Sequence, residues 1–289
     1  MQKLLDGVWS ISRRAPLVAL AAAALATSAA APALAKTSAK LKEEFAPFAD
    51  CPVTSAADCV YALTTGGEFI IGHKTVPIDK TITLQGGLAS TSYDAQPLIG
   101  AVNGPTLSQT PLTVPGGLVG IDELGGEVSA TAELAGPPSS VTVNRLNFTV
   151  LSGAAVTLPL KVHLENSALG SDCYIGSDSE PILLHLTTGT TSPPPPAEPI
   201  KGSRALPSLG GKGKIVIIPK DTLVDNDFAV PGASGCGPEL LSSVVDEVVD
   251  LDVGIPSAAG ENTAIMSGSL EETAAEYAAK YNKPAKKKS

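Results

Sequence analysis

Two runs of strict alternation constrain this chain more than anything else in it. Val128, Ala130, Ala132 and Leu134 interleave with Glu127, Ser129, Thr131 and Glu133. Val156, Leu158, Leu160, Val162 and Leu164 interleave in the same way with Thr157, Pro159, Lys161, His163 and Glu165. Successive side chains of a strand point to opposite faces, so each run predicts a strand with one buried and one wet face. Between them Val141 and Val143 keep one register while Leu146, Phe148 and Val150 keep the other, with Asn144-Arg145 at the switch as a bulge site. Turns at Gly136-Pro137-Pro138-Ser139 and Ser152-Gly153 would join the three strands into an antiparallel meander. Pro159 has no amide hydrogen to give a ladder, which places its strand at an edge or a bulge.

Shorter runs at 67–73, 75–84, 112–119, 171–176, 182–187, 214–218, 222–230 and 262–271 follow the same pattern. One helix is expected near 239–250, with Pro238 at its first position and Leu240, Leu241, Val244, Val245, Val248 and Val249 on one stripe. Twenty-eight glycines and 24 prolines supply the turns, and 43% hydrophobic residues with only 4% aromatics imply a core of Val, Leu, Ile and Ala. The expected fold is all-β: an antiparallel two-sheet sandwich, immunoglobulin-like or related, with that one short helix. The expected domain spans 59–277, with a proline-rich loop at 192–199 (SPPPPAEP) that favours polyproline II.

The first 35 residues read as a signal peptide. Arg13 and Arg14 precede the apolar run Ala15–Ala26, and Ala33-Leu34-Ala35 offers a cleavage site before Lys36. The run is too short for a bilayer, which needs about 20 residues, and no later stretch is long and apolar enough to be a transmembrane segment. Arg13-Arg14 is also compatible with twin-arginine export, although Ala15-Pro16 continues that signal poorly and favours general secretion. A lead-in over 36–58 would then carry a short disulfide loop. Four cysteines in an exported chain read as two disulfides, and the favoured pairing is Cys51–Cys59 with Cys173–Cys236. Neither CxxC spacing nor nearby histidines suggest zinc.

Export changes the charge. The signal holds three basic residues and one acidic one, so a net charge of −9 becomes −11 in the mature chain. The last ten residues hold five lysines and no acid, which leaves the body from 36 to 279 at −16. Such a body repels nucleic acid and anionic lipid. The basic stretch, expected as a disordered tail over 278–289, could make weak contact with an anionic envelope polymer.

The motifs Gly66-Gly67-Glu68-Phe69, Leu186–Pro196 (LTTGTTSPPPP), Pro231–Gly237 (PGASGCG) and Pro256–Gly260 (PSAAG) stand together with this signal peptide. As a set they resemble secreted β-rich proteins of high-GC Gram-positive bacteria that carry no assigned activity. The resemblance implies export from such a cell and nothing about chemistry.

The sequence offers no catalytic residue. G-x-S-x-G, S-x-x-K, H-E-x-x-H, a phosphate loop and G-x-G-x-x-G are all missing. His73, His163 and His185 sit at scattered strand positions, and spacing alone assembles no triad from them. Asp221, Asp225 and Asp227, with Asn226, place hard oxygen ligands in one short segment and are weak calcium candidates, lacking the glycine and distal glutamate of an EF-hand loop. The expectation is a secreted, non-catalytic binding or structural protein of the envelope or medium. The alternatives are an extracellular hydrolase using unrecognised acidic residues, or a carrier of a small apolar ligand. Converging carboxylates would favour the hydrolase, and an enclosed aliphatic cavity of about 300–1,000 Å³ the carrier.

Overall fold

A computed structural model describes residues 39–118 and 126–283 of the chain. The expected signal peptide and Lys286, Lys287 and Lys288 of the tail lie outside those residues. Strands dominate because the alternating runs find partners on both flanks. In chain order they are β1 (Asp58–Ile71), β2 (Lys74–Pro77), β3 (Ile82–Leu88), β4 (Ala95–Gly100), β5 (Pro111–Thr113), β6 (Ser129–Leu134), β7 (Thr142–Asn144) and β8 (Val156–Glu165). After these come β9 (Tyr174–Ile175), β10 (Ile182–Leu186), β11 (Ser203–Arg204), β12 (Ser208–Gly210), β13 (Ile215–Asp225), β14 (Ala233–Ser234) and β15 (Thr263–Ala274).

All pairings are antiparallel, and one continuous path runs β11-β13-β15-β1-β3-β4-β7-β8-β6-β5. The turning point is β4, whose Leu98–Gly100 half pairs with β3 and whose Ala95–Pro97 half pairs with β7. Strands from both sides of the proline tract share this sheet. The tract itself is a loop closed at its base, where the Thr191 amide donates to the Ile200 carbonyl and the Ile200 amide to Thr191 Oγ1. The main apolar core draws on both ends of the path, including Leu88, Leu98, Val141, Leu158, Leu184 and Met266.

Three sequence expectations change here. The strand expected over 141–151 stops at Asn144. Its side chain accepts from the Asn147 amide and caps helix α1 (Arg145–Val150), so local capping overrides the alternating pattern. The meander fails with it, because β6 and β7 do not pair each other but lie end to end along one edge of β8, while β9 and β10 take the other edge. Pro159 therefore lies in a central strand. Its carbonyl accepts from Ala135 beyond the last residue of β6, so its missing amide falls where that ladder ends.

The helix expected near 239–250 is a 3-10 turn at Glu239–Leu241 followed by α2 (Ser242–Val253). Its stripe divides: Val249 and Val253 are buried, whereas Leu240, Leu241, Val244 and Val248 are exposed. A further helix, α3 (Ala275–Tyr281), enters the expected tail, burying Ala278 and stacking Tyr281 on Phe45 at 4.4 Å. Cys51–Cys59 and Cys173–Cys236 are both bonded, as favoured. Two disulfides mark a chain that matures in an oxidising environment. No helix among the described residues is long and apolar enough to cross a membrane.

Candidate ligand-binding cavity

Partners directly opposite one another in an antiparallel ladder project to the same face. Two cross-strand rows thereby build the wall of a cavity of about 300 Å³. The first runs Val60, Glu272, Val216, Leu209 across β1, β15, β13 and β12. The second runs Ile82, Thr64, Gly268, Asp221, Arg204 across β3, β1, β15, β13 and β11. Leu98 of β4, Leu158 of β8, Leu186 of β10 and Phe148 of α1 complete the lining.

Two bulges set this wall, and both lie level with Gly268. In β1 the register shifts between Thr64 and Gly66, and in β13 between Ile218 and Asp221. The β13 bulge holds Pro219-Lys220, which lets Ile218 and Asp221 both face the cavity while Lys220 stays exposed. At Gly268 a Cβ would run into the Leu63 carbonyl, so the close approach of β1 requires glycine there. Gly67, at φ +110°, carries the chain out of the β1 bulge in a conformation that favours glycine.

The walls are aliphatic, and the charges on them are arranged unequally. Arg145 donates to Asp58 Oδ2 at 2.8 Å, to Glu272, and to the carbonyls of Ser90 and Ser92. Burial works against the charge on Arg145, yet Asp58 and Glu272 together hold its pKa above the ordinary value. Burial likewise pushes the Glu272 carboxyl up, against the pull of Arg145.

Asp221 is 5% exposed, and among the described residues it forms no such ion pair. Burial raises its pKa to about 6, against hydrogen bonds from its own amide and that of Gly268. Arg204 spans toward α1, donating from Nη2 to the Thr149 carbonyl at 2.9 Å, while its buried Nε has no hydrogen-bond partner. The aromatic ring of Tyr93, 59% exposed, lies at the cavity and packs against Arg145 at 5.3 Å. A second cavity of about 80 Å³, lined by Phe69, Leu112, Leu160, Leu184 and Val253 among others, is almost wholly apolar.

The weak calcium candidates Asp221 and Asp225 face different surroundings. Asp221 faces the cavity, whereas Asp225 accepts from the His185 amide through Oδ2 and from the Asp227 amide through Oδ1. Among the described residues no three His, Cys, Asp or Glu side chains form a metal-holding group. The histidines are equally dispersed: His163 stacks on Tyr174 at 4.6 Å, and neither His73 nor His185 lines the cavity.

Sequence reasoning missed Arg145, Arg204 and Glu272. Arg145 did carry a signal, as the one charge in the otherwise uncharged stretch 134–160. Comparison with protein-family models, curated proteins and solved structures returned no match to this chain.

Proposed function

We propose that this protein is a secreted carrier that holds a small, largely apolar molecule in the cavity between two facing layers of a β-sandwich. The observation that carries the reading is the cavity itself. At about 300 Å³ it is at the lower end of ligand sites and equals about ten water volumes. Away from its few polar groups, the aliphatic part of the lining would hold water poorly, since water needs two to four polar partners. A chain-like or small cyclic molecule with one polar end fits this chemistry: apolar atoms against Leu98, Leu158 and Leu186, and a polar end near Asp221 and Arg204.

The hydrolase reading draws support from two carboxyls of raised pKa on one cavity. Geometry weighs against it. Asp221 is paired opposite Gly268, and Glu272 stands four residues further along β15, a separation of about 13 Å of strand. Paired carboxylates in glycoside hydrolysis work at about 5–9.5 Å. Glu272 is also engaged by Arg145.

Native mass spectrometry of the protein recovered from culture medium, without reduction or denaturation, tests the carrier reading. A discrete extra mass that leaves on denaturation is expected. Its absence, together with failure to take up any added small apolar molecule, would overturn the reading.

A further inference from the structure

Beside the cavity, one edge of the sheet joins exposed leucines to a local excess of positive charge. Leu206 is 83% exposed and Leu209 70%, on the segment that carries β11 and β12. Leu209 sits opposite Val216, itself 42% exposed and lining the cavity, so the cross-strand row that begins at buried Val60 and passes Glu272 ends in two exposed apolar residues at this edge. Residues 200–220 carry Lys201, Arg204, Lys212, Lys214 and Lys220 and no acid, within a body that is otherwise strongly acidic.

Lys201, Lys212 and Lys220 are exposed, and Lys212 is presented at the tip of the β12–β13 turn with φ +58°. Of the acids near this edge, Asp221 is buried and two more are engaged by partners. Glu44 accepts from the Gly211 amide, and Glu272 holds Arg145.

We propose that this edge is a docking surface for an anionic lipid bilayer, with Leu206 and Leu209 entering the interface and the lysines meeting lipid phosphates. Net charge does not forbid it. Screening limits each surface charge to a reach of about 10 Å, so the local patch, not the −16 body, meets the bilayer. A soluble polyanion would use the lysines but leave two leucines exposed to water. A bilayer uses both. The exposed face of α2 lacks this complement, because the residues interspersed with its leucines and valines are serines and acids. The docking surface stands on exposure and charge alone, independently of whether the cavity holds a ligand.

Cosedimentation of the protein with phosphatidylglycerol and with phosphatidylcholine vesicles tests the proposal. Binding to phosphatidylglycerol is expected to be stronger by about tenfold or more. Leu206→Ser/Leu209→Ser, which keeps every lysine, is expected to lose about tenfold of that binding. Lys286→Gln/Lys287→Gln/Lys288→Gln in the tail is expected to lose less. As an independent readout, Trp9→Phe/Leu209→Trp leaves one tryptophan, whose emission is expected to shift to the blue on phosphatidylglycerol vesicles and to be quenched by brominated acyl chains.

Unchanged binding of the leucine variant, with full competition by soluble polyphosphate, would overturn the proposal in favour of a polyanion. So would absence of vesicle binding by the wild type. A wild-type dimer that the leucine variant converts to monomer, again without vesicle binding, would assign the edge to a second copy of the chain.

Discussion

Arg145 is the residue on which the cavity wall depends most. It reaches from α1 to Asp58 on β1 and Glu272 on β15, so one guanidinium holds a buried and a partly buried carboxyl from different strands. Removing it would leave those carboxyls without a counter-charge. Arg145→Leu is therefore expected to cost about 3–5 kcal/mol in chemical denaturation, whereas an isolated surface pair would cost under about 1 kcal/mol. Asp221 behaves in the opposite sense. Its folded pKa is about 6 against an ordinary 3.8, so the folded state binds its proton more tightly than the unfolded state. That contribution to stability is complete below pH ~4, declines as pH rises, and is lost above pH ~6. Asp221→Asn removes the titration and is expected to be more stable than wild type by about 2 kcal/mol at pH 7.5, with the gap closing near pH 4. Denaturant titrations at the two pH values check it, and a gap that persists or widens at pH 4 would reject the burial account of Asp221. Neither residue's role was legible in the sequence. In the sequence Asp221 reads as a weak calcium candidate beside Asp225, and only the bulge at Pro219-Lys220 turns it toward the cavity.

At the scale of elements, the long strands were legible wherever alternation continued on one face. The runs at 128–134 and 156–165 became β6 and β8, and Ile182–Leu186 alternates cleanly between buried and exposed. What alternation could not give was partnership. The pairing of β8 with both β6 and β10, and the switch of β4 between β3 and β7, depend on contacts far apart in the chain. Residues 58–66 went unread because the bulge at Thr64/Gly66 breaks the period at midpoint, moving the faces that Val60 and Phe69 present to opposite parity. The α2 stripe erred for a related reason: its apolar arc is wider than the surface available to cover it. Val249→Ala is therefore expected to cost about 2 kcal/mol, whereas Leu251→Lys, at a position 82% exposed, is expected to stay within about 0.5 kcal/mol. Thermal unfolding distinguishes them, and similar costs would contradict the divided stripe. The Cys173–Cys236 bond closes a loop of 63 residues that contains the proline tract. Cys173→Ser/Cys236→Ser is expected to lose about 2–4 kcal/mol, measured against the wild type under non-reducing denaturation.

For the whole molecule, the two disulfides point to an oxidising environment, and the cavity is what the proposed carrier role rests on. The sequence could name the aliphatic residues that line it but not that they stop short of filling the interior. That shortfall comes from Gly268, from two bulges at one level, and from the turn of the sheet path at β4. The most direct test of the carrier account is isothermal titration with decanol at several temperatures, on the wild type and on Ala62→Trp. Ala62 lies on the cavity wall between Val60 and Thr64, and an indole there would occupy the space. The account expects one decanol per wild-type chain with a negative heat-capacity change, the marker of apolar burial, and loss of that binding in the variant. No saturable binding to the wild type, or equal binding to Ala62→Trp, would contradict it.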